Sequence, residues 1–591
     1  MSWRLEKTSQ GQDLVLDGWE NGIAPSPHKG VGNLQNINIS SIPGEAFVNY
    51  DRVAQIEQEP IAGGTLAGSS NTQVTYTGTP ALIPGTWINI SASTISGLST
   101  GYYFILDQGS GSFRRTLSAT FNGAGVSGMG SSGSATFSTY NAMTGAPAVD
   151  WTSELTTTKV NRYYIMLNGG ATLTRYTASN YQSGYTTWSL IDKPGNTRPS
   201  DGNPSIVAYK GYLLSFVDGK SYYKALTAAG LGGAWNLWQT SALYQSNVPH
   251  ISILTRQGNV VYFCNGTSIG SVFENPGSTF DPTSAATFTR NLDALLLYTY
   301  EIAKCLAEIG DNLVIGALTN NLYIWDKLSP FFALLPLPEG NVVQAVTVNN
   351  MVYLFAGNKG NIYVTNGNTA SAVLTISDYV TGETEPYYSW GGVMYLRGRI
   401  FFSVNADTDN IGGIWSFVPT QNFFVEQETG LSLRLENKSS YDTYLGKADI
   451  LLAPVDSSGQ QARGAQYWSV WDNGTSNYGI DFSGTTPYVG GEAVIETDIV
   501  PTGTFTDKKT FSQVEIKLAS PLATGESIAM YYRENMTDAW VSLSTSKTET
   551  GTVSQYWTAT FQNTQWLQLR AELTSVTDSP SFVRVKEIRV R

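Results

Sequence analysis

Residues 308–326 read EIGDNLVIGALTNNLYIWD, with apolar pairs Leu313/Ile315 and Leu322/Ile324 on either side of a short polar turn at Thr319–Asn321. Alternation of this kind predicts a β-hairpin that buries one face. The phrase is echoed along the middle of the chain. Aligning the turn that precedes the second strand of each unit gives VNRYYIML at Asn161, YKGYLLSFV at Gly211, RQGNVVYFC at Gly258, IGDNLVIGA at Asp311, VNNMVYLFA at Asn350 and LRGRIFFSV at Gly398, spaced by 50, 47, 53, 39 and 48 residues. Another strand follows each anchor within about ten residues, as in SYYKAL, SIGSVFE, NLYIWD, NIYVTN and GIWSFV. A period near 40 to 50 with three or four strands per unit predicts a β-propeller, whose small sheets bury their faces against one another around a ring. Six anchors predict about six blades over 151–484, and the stretch Ala448–Gly474 supplies a seventh blade or a closing strand.

The flanking segments read differently. Residues 1–60 alternate turn signals (DGWENGIAPSPHKG, SIPGEA) with short apolar pairs such as Ile37/Ile39 and Ala46/Val48, which predicts an extended arm that needs a partner surface. From 61 to 150 the charged side chains before Asp150 are Asp107, Arg114 and Arg115, yet TWINISAS, GYYFIL and SATFSTY carry the β-branched and aromatic content that disorder lacks. This segment is read as an inserted small β domain. From 485 to 591, alternating runs such as TFSQVEIKLASPL, ESIAMYYREN and FVRVKEIRVR recur about every ten residues between Gly, Pro, Asn and Asp turns, the pattern of an antiparallel β-sandwich. The expected class is therefore all-β, and 591 residues are too many for one core.

Composition narrows function. Charged residues make up 14 %, while Gly (59), Tyr (33) and Trp (15) are abundant, a mixture suited to pleated sheets and tight turns. A net charge of −12 argues against the basic stripe of a sequence-specific DNA reader. Cys264 and Cys305 lie in separate predicted strands without Cys-x-x-Cys spacing and read as small apolar core residues. The N-terminal sequence lacks signal-peptide character, and no apolar run approaches the roughly 18 residues that span a bilayer, so a chain made and assembled in a cytoplasm is expected.

Chemistry is sparse. His28 and His250 are the sole histidines, too few for a zinc cluster, and read as structural or exposed. No phosphate-cradling Gly-Lys-Ser/Thr loop occurs. The DTDN turn places Asp407, Asp409 and Asn410 together, as calcium would require, but without the spacing or closing Glu of a full loop, and an ordinary turn is the simpler reading. Asp218, Asp311, Asp326 and Asp407 sit near predicted strand ends, where turn capping is the usual role and a paired-carboxylate glycosidase site the alternative. Trp325, Trp390, Trp415, Trp468, Trp471 and Trp540 read as core packing before sugar platforms. Arg584, Lys586, Arg589 and Arg591 read as the solvated face of a last strand before a docking patch for an acidic neighbour. No catalytic, cofactor-binding or metal residue is assigned.

An arm of the form LDGWENGIAPSPHKGVGNLQNINISSIPGEAFVNYDRV, blades carrying IGDNLVIGALTNNLYIWD and a sandwich containing KKTFSQVEIKLASPLATGESIAMYYRENMTDAWVSL together resemble tail structural proteins of tailed bacteriophages. The similarity is greatest to the propeller-bearing nozzle or hub proteins of short tails. It rests on architecture over most of the chain rather than on a diagnostic motif. The resemblance implies a non-enzymatic virion component without cofactors: a homo-oligomeric ring, commonly of six copies, beneath the portal and adaptor. Such a ring passes double-stranded DNA during genome ejection without reading its sequence and anchors tail fibres. A receptor-binding tail protein that recognises host surface glycan is the alternative.

Overall fold

The computed structural model describes residues 63–77, 82, 87–107, 114–119, 124–137, 205–217, 219–225, 250–356, 360–376, 399–404, 413–419, 493–497, 509–534, 538–564, 567–576 and 583–591, with Trp238, Tyr388 and the backbone paths of the remaining strands. Every named element among them is a β-strand. The chain is all-β: a β-propeller, a small inserted barrel and a sandwich.

The opening stretch forms the centre of one blade. Ala303–Ile309, Asn312–Ala317, Asn321–Trp325 and Ala333–Pro336 make an antiparallel sheet in chain order, with Leu313 opposite Trp325 and Ile315 opposite Tyr323. Its second strand is buried from Leu313 to Ala317 because both faces are covered. One face joins Tyr262 and Cys264 of the preceding sheet, and the other meets Val352 and Leu354 of the following one. Parallel stacking of sheets thus turns a period-two strand into a continuous apolar run.

Seven such sheets follow one another. The first, Tyr164–Leu190, has three strands, and those over 205–237, 252–296, 303–336, 342–375 and 393–438 have four. The seventh, over 447–487, takes its fourth strand from the other end of the chain: Tyr50–Ile61 pairs with Tyr478–Pro487, placing Ile56 opposite Ile480. Among the described strands there are thus seven such sheets, and the stretch Ala448–Gly474 contributes strands to the last of them. One anchor belongs to each of the first six sheets, Asn161 ahead of the first strand and the other five between the first and second, and the seventh sheet lacks an anchor, part of it lying about 390 residues upstream. Two of the described anchors sit in hairpin turns with paired left-handed residues: Lys210 and Gly211 have φ of 47° and 85°, Asn349 and Asn350 of 49° and 62°. Such paired positive φ values match the twist of the flanking strands.

Between Tyr50–Ile61 and Tyr140–Thr144, which pair with each other, the chain closes a six-stranded barrel spanning Gly64–Phe137. Its core includes Leu66, Val74, Ile88, Ile90, Ile105 and Phe137. The arm spreads over three sheets. Gly11–Leu16 pairs with the final strand Arg584–Val590. Asn33–Gln35 lies between Arg434–Lys438 of the sixth blade and Ala493–Glu496 of the sandwich, so blade and sandwich share one nine-stranded sheet. One apolar cluster accordingly runs from Tyr353 and Phe402 in the blades to Val514, Trp557, Leu569 and Ile588 in the sandwich.

Candidate functional site: latches between blades and an apolar outer rim

Several polar groups of the propeller lie where one blade hands over to the next. The Gly219 N–H donates to His250 Nε2 at 3.2 Å, and His250 Nδ1 lies 2.9 Å from the Cys264 carbonyl. With Nε2 accepting, Nδ1 carries the hydrogen and donates to that carbonyl, so a neutral imidazole ties blades two and three with both nitrogens committed. At the next junction the Ala303 N–H donates to the Gly266 carbonyl at 2.9 Å. The Asn341 N–H donates to Leu318 at 2.9 Å between blades four and five, where Lys304 Nζ also reaches Asn341 Oδ1 at 2.5 Å. The Tyr388 hydroxyl, ahead of blade six, donates to the Gly360 carbonyl at 2.5 Å. In all four cases the entering link is fastened to the turn between the second and third strands of the preceding blade.

Carboxylates serve the same end, Glu301 and Glu308 buried and Glu339 half-buried. Glu301 is fully buried and accepts from the Thr319 N–H at 3.2 Å, the Thr319 hydroxyl and Asn321 Nδ2 at 3.3 Å. Forty residues on, Asn361 Nδ2 and the Tyr363 hydroxyl donate to Glu339 Oε1, the latter at 3.4 Å. Burial and then the Glu339 charge push the Tyr363 phenol up to about 12, and burial followed by Glu301 raises Tyr323 well above its usual range. Glu308 accepts from Lys327 Nζ at 2.8 Å and from the Arg256 N–H of blade three at 2.7 Å. Burial first, and Glu308 second, push the neighbouring Tyr262 up to about 12. These carboxylates are occupied as hydrogen-bond acceptors, and these phenols stay neutral through physiological pH.

The two chain ends are clasped together. Arg589 reaches Glu587 at 2.6 Å, Glu6 at 3.0 Å and Asp13 at 3.7 Å, and Arg591 reaches Asp13 at 3.0 Å and Glu515 at 3.1 Å. Asp13 and Glu515 are buried. The acidic neighbour of these two arginines is thus the chain's own first hairpin and sandwich sheet, not solvent. Burial alone would raise the Glu587 carboxyl, but hydrogen bonds from Arg589 and Lys517 outweigh it and hold the group below the usual glutamate range.

The remaining sequence candidates separate cleanly. Asp326 caps a turn, accepting from the Leu328 and Ser329 N–H groups at 2.9 and 2.7 Å, and these bonds hold its carboxyl below the usual range. Asp311 is exposed in a hairpin turn. Trp325 and Trp415 are buried, while Trp540 lies half-buried with the Arg533 guanidinium 4.4 Å from its ring centre. Cys264 and Cys305 are free and buried, and burial pushes the Cys305 thiol up to about 12. His28, Asp218, Asp407, Asp409, Asn410 and Trp390, and the side chains of Trp468 and Trp471, lie outside the described residues. Among the described residues no three His, Cys, Asp or Glu side chains converge as metal ligands.

Sequence reading missed the outer rim of blades three and four. Among the described residues, seven of the thirteen exposed large apolar side chains fall between Leu296 and Leu334. Tyr298 and Tyr300 stack with centroids 5.9 Å apart, and Tyr298 meets Phe332 edge-on at 5.6 Å. The signal was present as ALLLYTY at 294–300 and LSPFFALLPLP at 328–338, which look like core until outermost strands are recognised as having no blade beyond them.

No family model and no curated protein matches the chain. Among solved structures it is similar to YCF48 bound to a D1 peptide, at 10 % identity, covering 57 % of this chain and 96 % of that one with a TM-score of 0.35. It is similar to the N-terminal domain of Nup159 at 12 % identity, covering 63 % and 89 % with a TM-score of 0.28. An exo-beta-1,3-galactanase from Phanerochaete chrysosporium with galactose matches at 10 % identity over 66 % and 95 %, with a TM-score of 0.24. Likenesses of this size carry no weight for function.

Proposed function

We propose that the chain is a non-enzymatic structural subunit, a nozzle or hub protomer of a short phage tail that assembles into a ring and passes double-stranded DNA. The observation that carries this reading is the use of polar groups: buried His250, Glu301 and Glu308 and half-buried Glu339 are all spent on holding blades or turns together. A part that bears load along an axis needs such cross-ties, because each buried hydrogen bond broken in shear leaves orphaned groups that cost about 1–3 kcal/mol. Charge supports the DNA role. Phosphates gain nothing from a protein of net charge −12, so a duplex slides past without the counterion release that makes basic surfaces adhere.

The reading is tested by imaging and weighing the purified protein under assembly conditions. A closed ring with an axial channel is expected, and monomer at every concentration would sink it. Incubation with host capsule polysaccharide is expected to release no reducing ends. Their appearance would replace the structural reading with a hydrolytic one.

A further inference from the structure

Asn-Gly occurs six times in the chain, and the side chains of two of these asparagines, Asn265 and Asn366, are described. The peptide nitrogen that follows an asparagine can attack that residue's own carboxamide, most readily when the next residue is glycine, which puts no Cβ in the way. In a folded protein the outcome depends on how the amide is held.

The two sites are held in opposite ways. Asn265 is fully buried, and its Nδ2, the nitrogen that would have to leave, donates to the Leu292 carbonyl at 2.9 Å. Asn366 is exposed in the turn between the third and fourth strands of blade five, Asn361–Thr365 and Ala370–Thr375. Its Oδ1 accepts from the Asn368 and Thr369 N–H groups, both at 2.9 Å, and from the Thr369 hydroxyl at 3.3 Å, while its Nδ2 has no hydrogen-bond partner among the described residues. These donors converge where negative charge develops when Cγ is attacked, the arrangement that lowers the barrier to acyl transfer. The same bonds fold the side chain back over the following peptide, as in an Asx turn. Gly367 has a φ of 91°, and its N–H donates to the Thr365 hydroxyl at 3.0 Å, which gives the departing proton an acceptor.

We infer that Asn366 is a self-modification site at which the folded chain deamidates. The Gly367 nitrogen bonds to Asn366 Cγ, the Cγ–Nδ2 bond breaks, and ammonia leaves with the proton lost by Gly367. Water then opens the five-membered imide at one of its two carbonyls, leaving either aspartate in an ordinary main chain or isoaspartate with one extra main-chain methylene. The sum is one water consumed and one ammonia released.

The fold has a place for the first product. Forty residues earlier, directly after the third strand of blade four, Asp326 accepts from the Leu328 and Ser329 N–H groups, the same pattern that Asn366 makes with Asn368 and Thr369. Aspartate at 366 keeps both caps and strengthens them with its charge. Isoaspartate moves the carboxylate off these N–H groups, in a turn whose Gly367 faces Ile309 of blade four. The inference is independent of the ring reading.

The test is peptide mapping by mass spectrometry of the full-length protein aged at about pH 8, folded and, in parallel, unfolded in urea. Both sites convert in the unfolded chain, which calibrates the assay. In the folded protein Asn366 is expected to convert at least about 10-fold faster than Asn265. If Asn366 stays intact in the folded protein while it converts in urea, the turn protects the amide and the inference is overturned. Equal rates at the two sites in the folded protein overturn it as well, because the geometry then decides nothing. The Asn366→Asp variant, which needs no ageing, is expected to melt no earlier than wild type, and an earlier transition overturns the fit of the product.

Discussion

His250 shows how one residue fixes a junction. Its ring accepts from Gly219 of blade two and donates to Cys264 of blade three, so replacing it with Leu preserves volume while orphaning a buried N–H and a buried carbonyl. His250→Leu is expected to lower stability by about 1–3 kcal/mol per orphaned group, read as an earlier thermal transition. Gly270 imposes a complementary restriction through space alone. A Cβ there would sit 2.1 Å from Phe263 Cζ, and Phe263 is itself stacked on Phe216 of blade two at 4.2 Å. Gly270→Ala is expected to cost about 1–3 kcal/mol by overpacking, and Phe263→Leu in the same chain to recover part of it. Two variants that add independently would show that ring and glycine are not coupled.

At the scale of elements, the decisive strands are those that travel. Glu57, in Tyr50–Ile61, is paired on one side with Gly479 and on the other with Thr144, so its backbone is enclosed within the sheet. Glu57→Pro is expected to cost about 3 kcal/mol and to unlock the seventh blade, seen as faster amide exchange across 447–487 with blade four unchanged. The terminal hairpin depends on charge. Because the folded Glu587 titrates below its ordinary 4.5, its contribution is complete above that value and fades as pH falls through the lower folded value. The amide-exchange protection factors of Arg4–Thr8 and Gly11–Leu16, which remove the intrinsic pH dependence of exchange, are expected to be constant from pH 8 to about pH 5 and to fall at more acid pH; a loss of protection on the alkaline side instead would show that the clasp is held by something else. Blade hairpins were legible in the sequence because their turns need positive φ and their strands alternate, both local properties. The Tyr50–Ile61 strand of the seventh blade, the shared sheet through Asn33–Gln35 and the Glu301–Asn321 and Glu339–Asn361 clips were not, since each joins residues whose proximity local periodicity does not encode. Asp326 was legible as a turn cap for the converse reason, its partners lying two and three residues away.

For the whole molecule, the proposed conduit role raises the question of how such a fold would tolerate a polyanion passing under pressure. The ends of the chain meet in one sheet, the arm crosses from sandwich to blade six to blade seven, and a single apolar cluster spans the blades and the sandwich. Pulling on either end therefore loads the sheets rather than a linker. On that proposal a net charge of −12 is expected to keep DNA from sticking, a property separable from the proposed assembly. In 50 mM salt, where basic proteins bind duplexes tightly, the assembled protein is expected to leave a 20-base-pair DNA unretarded in a mobility assay and with unchanged anisotropy. The same measurement on a protein carrying six exposed Asp or Glu changed to Lys is expected to show binding that weakens steeply as salt rises. Salt-dependent binding by the unmodified protein would mean that the duplex meets a basic surface despite the overall charge, and the passive-conduit reading would have to give way to one in which DNA is held.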